Sequence, residues 1–252
     1  MADTKLFFAK GDSPEMIAAF EKAQQTFKYF WREMSWEYRR IIPALDMACV
    51  KVAFSEEVAG QEEPIVEHMW INQVGFDGIN VYGELINEPN ELTNISNGDE
   101  VNVPLTQISD WLFASNGKTY GGFTIHAMRA QMSDEERQEH DTAWGIDFGD
   151  FNDIEIVMNQ KEQPENLEVH PMDRNTKEGM LSFLKENPGE VKTTDELGLT
   201  LLHIETIAGN LHAVEALLEM GADKNAATPD GRTALDLAKL LQWNHLIPVL
   251  EK

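Results

Sequence analysis

The segment His140-Asp-Thr-Ala-Trp-Gly-Ile-Asp-Phe-Gly-Asp150 places one histidine, three aspartates, two glycines and two aromatic residues within eleven positions. An imidazole within reach of a carboxylate is the minimum for general acid–base catalysis. His140 or His126 paired with Asp141, with Arg129 to steady an anion, would make a hydrolytic set. Ser109 and Cys49 are available nucleophiles, but neither stands in an elbow or an activated-thiol context. A metal reading would use His68, His126 and His140 with Asp141, Asp147 or Asp150 as oxygen ligands. No two histidines have the short spacing of helical zinc motifs, so no metal site is expected. The same residues also have structural uses: Trp144 and Phe148 as core anchors, the glycines as chain reversals, the aspartates as turn caps. A fourth use is recognition. Trp70, Trp111, Tyr120 and Trp144, with Asp110, Asp147 and Asp150, would form an aromatic, acidic surface for a basic partner.

The charge balance narrows the partners. The chain of 252 residues has 44 acids against 20 lysines and arginines, a net charge of −24. Residues 162–252 hold 16 acids and 8 bases, leaving 28 and 12 before them, so both parts are acidic. Such a surface repels the phosphates of nucleic acid and anionic membranes; it is either a simply solvated face or an attraction for a basic protein partner. No apolar run approaches the ~20 residues of a membrane span, and the start, MADTKLFFAKGDSPE, has too short an apolar stretch for a signal peptide. A lone cysteine, Cys49, excludes an intrachain disulfide framework and reads as a buried thiol. A cytoplasmic setting is the expectation.

The elements that must present the cluster follow from periodicity and breakers. Ser13-Pro14-Glu15 is a helix start, with a capping hydroxyl, a first-turn proline and an acid at the positive dipole end. Ile17, Phe20, Phe27, Phe30, Trp31, Met34 and Tyr38 then recur at mostly three- and four-residue steps, predicting a helix to about Arg40. Lys28, Arg32, Arg39 and Arg40 concentrate scarce positive charge there, to balance acidic neighbours or to hold an anion. Strands are expected over Leu45–Phe54, Ile65–Asn72, Ile79–Ile86, Val101–Val103, Phe123–Met128 and Asp153–Val157. Ile108–Ala114 reads as short and either extended or helical, and Asn116-Gly117 as a tight turn. Ser133-Asp-Glu-Glu136 opens a helix that runs to about His140 or Thr142. No glycine-rich phosphate loop follows any strand, and no cofactor is expected.

After the polar stretch Asn159–Asn166, helix pairs take over. Gly198-Leu-Thr200 and Gly231-Arg-Thr233 are 33 residues apart, each followed by an apolar helix. With Asp195-Glu-Leu-Gly-Leu-Thr-Leu-Leu-His203, Gly209-Asn210 and Gly221-Ala-Asp223, residues 170–252 strongly resemble ankyrin repeats, whose period this is. Stepping back 33 residues from Val214 and Leu217 reaches Leu181 and Leu184, so 178–186 is expected to be the outer helix of a degenerate first copy. The resemblance implies that Thr200 and His203 hydrogen-bond to fix the turn. It also shows two departures: Leu201 in place of a helix-starting proline, and Glu205 where a small alanine packs.

The first part also has relatives. Phe27–Asp46, Glu67-His-Met-Trp-Ile71, Gly98-Asp-Glu-Val101, Ile108-Ser-Asp-Trp111, Gly121-Gly-Phe-Thr124 and the His140–Asp150 cluster together resemble the YegJ-like bacterial family of unknown function, which also occurs joined to ankyrin repeats. The resemblance implies a bacterial, cytoplasmic protein and no established reaction, so no catalytic residue is carried over from it.

The expectation is therefore an α+β domain at 1–160, an N-terminal helix with a largely antiparallel sheet. A linker at 161–169 and an all-α domain of about three ankyrin repeats at 170–252 follow. The expected function is protein binding with a basic partner, in one version as an inhibitor or immunity-type protein. The alternative is a hydrolase-type enzyme using His140, Asp141 and neighbouring acids.

Overall fold

The first helix, α1 (Pro14–Glu37), begins as its sequence dictates: Met16 N–H donates to Ser13 Oγ at 3.2 Å, with proline in the first position. The computed structural model describes residues 13–252. The expectation about a signal peptide in the first 12 residues lies outside them. Met16, Ala19, Ala23, Phe27, Phe30 and Met34 form the buried stripe of α1. The chain groups into two units, and α1 contributes to both. The first comprises residues up to Phe30, Ile41–Gly75 and Val81–Ile156; the second comprises Trp31–Arg40, Phe76–Asn80 and Val157–Lys252.

In the first unit the strands are β1 (Met47–Glu56), β2 (Ile65–Phe76), β3 (Asn80–Leu85), β4 (Glu100–Pro104), β5 (Ile108–Ser115) and β6 (Lys118–Gly121). They make one antiparallel sheet in the order β4-β3-β2-β1-β5-β6. Val50 of β1 lies opposite Ile71 of β2 on one side and Trp111 of β5 on the other. Trp111 meets α1, donating from Nε1 to Ala23 O at 3.0 Å and Thr26 Oγ1 at 3.2 Å. A second apolar cluster, Cys49, Leu112, Ile125 and Phe148, involves the neighbouring residues of the same strands. All eight residues of β5 are buried, because both of its faces are covered.

Three local expectations change. Phe123–Met128 is not a strand but a helix, α2 (Phe123–Arg129). Its apparent alternation carried no period, because Phe123, Thr124, Ile125 and His126 are all buried. Ile108–Ala114 resolves to a strand, and the Asn116-Gly117 turn, with both residues at positive φ, folds it back onto β6. Asp153–Val157 forms no strand. The edge beside it, β6, is four residues long and is already engaged by Asp147, whose carbonyl accepts from Thr119 N–H at 3.0 Å. This segment meets β6 through Gly121 N–H, which donates to Glu155 O at 2.9 Å. The helix after Ser133 is α3 (Asp134–Trp144), with a reciprocal capping box between Ser133 and Glu136 and Gly145 in the left-handed conformation at its end.

The second unit carries short helices: α4 (Thr176–Glu186), α5 (Leu201–Ile207), α6 (Leu211–Glu219), α7 (Ala234–Leu240) and α8 (Ile247–Glu251). Thr200 and Thr233, 33 residues apart, cap α5 and α7 in the same way, each accepting from the backbone N–H three residues on. His203 returns the favour to Thr200 through Nδ1 and anchors Nε2 on Ala226 O at 3.0 Å. Glu205, a departure from the expected alanine, is buried and answered by Arg39, whose two terminal nitrogens reach its oxygens at 3.3 and 2.9 Å. Asn210 adds a third donor at 2.7 Å. Arg40 pairs with Glu33 at 2.9 Å and Glu37 at 2.6 Å. Within residues 161–169, expected as linker, Pro164–Leu167 forms a 3-10 turn. The buried Arg32 guanidinium donates to the carbonyls of Asn166, Leu167 and Glu168. Among the described residues, no helix is long and apolar enough to cross a membrane.

Candidate functional site

The four residues of the expected hydrolytic set do meet. His126 and Arg129 stand one turn apart on α2, and His140 and Asp141 lie in the last turns of α3. Arg129 grips Asp141 with two parallel bonds, Nε to Oδ1 at 3.0 Å and a terminal nitrogen to Oδ2 at 2.8 Å. Its other terminal nitrogen reaches His126 Nδ1 at 3.2 Å and Gly149 O at 3.1 Å. An arginine only donates, so His126 Nδ1 accepts and the ring is neutral with its proton on Nε2. Burial, and next the Arg129 charge, push the His126 pKa down to about 4. His140 Nδ1 lies 2.9 Å from Asp141 Oδ1. Phe148 roofs the group, with its ring 5.2 Å from His140, 6.1 Å from His126 and 5.4 Å from the Arg129 guanidinium.

The arrangement leaves little for catalysis. Both Asp141 oxygens are held by Arg129, so the carboxylate orients and neutralises rather than abstracts a proton. The expected nucleophiles are withdrawn. Cys49 is buried, and burial followed by the Asp110 charge pushes its thiol up to about 12. Ser109 is buried too, with its hydroxyl 3.3 Å from Lys51 O. His140 makes its contact with Asp141 through Nδ1, so its Nε2 faces away from that carboxylate. No group of three or more His, Cys, Asp or Glu side chains among the described residues is arranged to hold a metal.

The expected aromatic surface divides. Trp111 and Tyr120 are core residues, 0% and 5% exposed, so neither can meet a partner. Both sit on strands packed on two faces, Tyr120 stacking on Phe113 at 4.8 Å. Asp110 is buried as well. Trp70 is half-buried beneath the Lys51 ammonium, 4.6 Å from its ring centre. Trp144 is different: it is 37% exposed and stands edge-on to Phe148 at 5.7 Å. Asp147 and Asp150 are exposed nearby in sequence, each accepting from the backbone N–H two residues on, at 2.8 and 2.9 Å. Of the residues expected to form a recognition surface, Trp144, Asp147 and Asp150 are the exposed ones.

One cluster escaped the sequence reading. Asp110 accepts from Trp111 N–H, Phe123 N–H, Thr124 N–H and Thr124 Oγ1 at 2.6 to 2.9 Å. The Lys51 ammonium donates to the same Thr124 hydroxyl at 3.0 Å. Burial pushes the Asp110 carboxyl up and the Lys51 ammonium down, and each partner opposes the other's shift. The signal was present: Asp110 is the lone charge in an apolar strand, and such a group is buried only with partners. Glu67–Ile71, Ile108–Trp111 and Gly121–Thr124, three of the motifs quoted for the family resemblance, supply Trp70, Asp110, Trp111 and Thr124 here. Gly121 is required at this point, since its φ is +77° and a Cβ would come within 2.5 Å of the Trp111 ring and carbonyl.

Residues 13–148 match the family described as an uncharacterized protein conserved in bacteria, DUF2314. The chain belongs to this family. The DUF2314 segment contains the Arg129–Asp141 pair, the Lys51–Asp110 cluster and Trp144, whereas Asp150 and all the helices from α4 onward lie beyond it. A protein of Neisseria meningitidis serogroup B named "Putative ankyrin repeat protein" is 51% identical over 251 residues, covering 100% of this chain and 98% of its own length. An Escherichia coli K12 protein, "Uncharacterized protein YegJ", is 33% identical over 73 residues, 29% of this chain and 48% of its own. No solved structure matches.

Proposed function

We propose that this DUF2314 protein acts by binding another protein, with residues 170–252 forming an ankyrin-type array and the partner being basic. The observation that carries this reading is the 33-residue recurrence of α5 and α7 behind identical threonine caps. The name of the N. meningitidis relative agrees with it. The charge of −24 selects a basic partner and disfavours nucleic acid. In its specific form the protein is a cytoplasmic inhibitor, of the immunity type, that covers a basic toxin or nuclease. At the end of the DUF2314 segment, Trp144 and Asp147, with Asp150 just past it, are the surface for that contact: an exposed aromatic anchor with an acidic rim.

The test is affinity capture with the full chain from a bacterium that encodes it, eluting with salt. A stoichiometric basic protein is expected, and its retention should fall when Trp144→Ala is combined with Asp147→Lys and Asp150→Lys. Failure to recover a stoichiometric partner in any growth state would sink the reading. The hydrolase reading keeps one supporting observation, the convergence of His126, Arg129, His140 and Asp141. It requires a hydrolytic activity that His140→Ala abolishes while the fold stays intact.

A further inference from the structure

Lys118, Lys177 and Lys239 each rest directly on a carboxylate, at 2.8, 3.2 and 3.3 Å. Lys51 is placed differently. It lies on β1 with Trp70 of β2 opposite it on one side and Asp110 of β5 on the other. Its Nζ stands 4.6 Å from the centre of the Trp70 ring and 3.0 Å from Thr124 Oγ1. The Asp110 carboxylate acts on it through that hydroxyl. Thr124 has one hydroxyl proton, which goes to Asp110 Oδ2 at 2.6 Å, so its oxygen accepts from the amine. Asp110 is occupied further by the N–H groups of Trp111, Phe123 and Thr124. A carboxylate in contact holds the proton on an amine more firmly than a hydroxyl and a ring face do. Burial pulls Lys51 toward the neutral amine, opposed by the charge of Asp110 and then of Cys49. His68 of β2 also feels the Lys51 charge, and is lowered first by burial and then by that charge. The Lys51 side chain is half-buried rather than sealed.

We propose that Lys51 accepts small activated acyl groups, its amine being presented by Thr124 and Trp70 rather than clasped by a carboxylate. A lysine desolvated among apolar neighbours is nucleophilic at a pH where solvated lysines are still charged. Its neutral nitrogen attacks the carbonyl carbon of a thioester. The carbon–sulfur bond breaks, and the thiol leaves with the electron pair and takes up the proton that the amine gives up. An aldehyde would add to the same amine reversibly, whereas the amide persists, so an acyl donor leaves the lasting mark. The donor is small, because the amine lies between the Trp70 ring and Thr124 at the start of α2. Transfer turns an ammonium into a neutral amide. The Asp110 carboxylate, which caps α2, then loses the positive charge that offsets it, and α2 carries His126 and Arg129. The site uses none of Trp144, Asp147 and Asp150, so it stands or falls independently of the basic partner proposed above.

The experiment treats the full chain with a limiting amount of the acetyl thioester of N-acetylcysteamine, in buffers from mildly acidic to mildly basic. The amines that remain are capped with isotopically heavy acetyl groups after unfolding, and mass spectrometry of the peptides gives the light fraction at each lysine. At neutral pH, Lys51 should take up the light group several-fold faster than the exposed Lys22, Lys185 and Lys192. Its rate should also climb at a lower pH than theirs. In urea the rates should converge, because the advantage comes from the fold. A lysine with a purely structural role would be the slowest, with its charge held and its approach blocked. Lys51 reacting no faster than those three at neutral pH, a climb at the same or a higher pH, or an advantage that persists in urea would each overturn the proposal.

Discussion

Arg129 is the residue on which the His140–Asp150 region depends. It joins α2 to α3 through Asp141 and to the glycine turn through Gly149 O, and it fixes the tautomer of His126. Its side chain is 5% exposed against 22% for Asp141, so its removal leaves a carboxylate in a mostly desolvated place. Arg129→Ala should therefore cost about 3 kcal/mol of unfolding free energy, measured by urea titration. Arg129→Lys should recover only part, because an ammonium cannot make the paired bonds. His126 makes a pH prediction. Its folded pKa is about 4, below the ordinary imidazole value of 6.5, so the unfolded chain binds the extra proton between those values. The stabilisation is complete above 6.5 and is lost as pH falls toward 4. At full extent it is on the order of 3 kcal/mol. Burial also lowers His170 and His203, so the measurement is a difference: the stability of His126→Gln should fall less steeply with acid than that of the parent.

At the scale of elements, α2 is pinned by Asp110, which lies 13 residues before the first N–H it caps. Asp110→Ala would orphan the amides of Phe123 and Thr124 and leave the Lys51 charge without its counterpart, a loss of about 3 kcal/mol or more in chemical denaturation. Combining it with Lys51→Met should cost less than the two single changes added together, because the stranded charge goes with its partner. Gly121→Ala should destabilise by clash and by backbone strain together. These elements also show what the sequence could reveal. The start of α1, the antiparallel strands β1 to β4 and the apolar helices α5 and α7 after their repeated Gly-x-Thr were legible, because each is written in adjacent residues or a fixed period. The helix α2 was not. Its cap comes from a different strand, and complete burial removes the polar–apolar contrast from which a period is read. Trp111 and Tyr120 were misplaced for the same reason: a tryptophan that could mark a binding surface looks identical to one whose N–H is satisfied by Ala23 O inside a core. The hydrolase alternative required His126, Arg129, His140 and Asp141 to converge, but the direction of the Arg129 fork, which ties up Asp141, depends on tertiary geometry.

For the molecule as a whole, the excess of acids sets two salt responses of opposite sign. Self-repulsion within a chain of −24 charge weakens the compact state, and added salt screens it. Melting temperature should therefore rise as sodium chloride goes from low to physiological strength, in a thermal scan without partner. Capture of a basic partner should weaken over the same range, so a joint rise in both would contradict the electrostatic account. Arg32 has a different kind of consequence. Its guanidinium is satisfied by three successive carbonyls, Asn166 to Glu168, and by the face of Trp243 at 5.2 Å. Carbonyls are common to every residue, so this clasp is blind to the side chains of Leu167 and Glu168. Evolution is free to rewrite those two letters, but inserting or deleting one would shift the row of oxygens past the fork. The segment is held by its length rather than by its spelling.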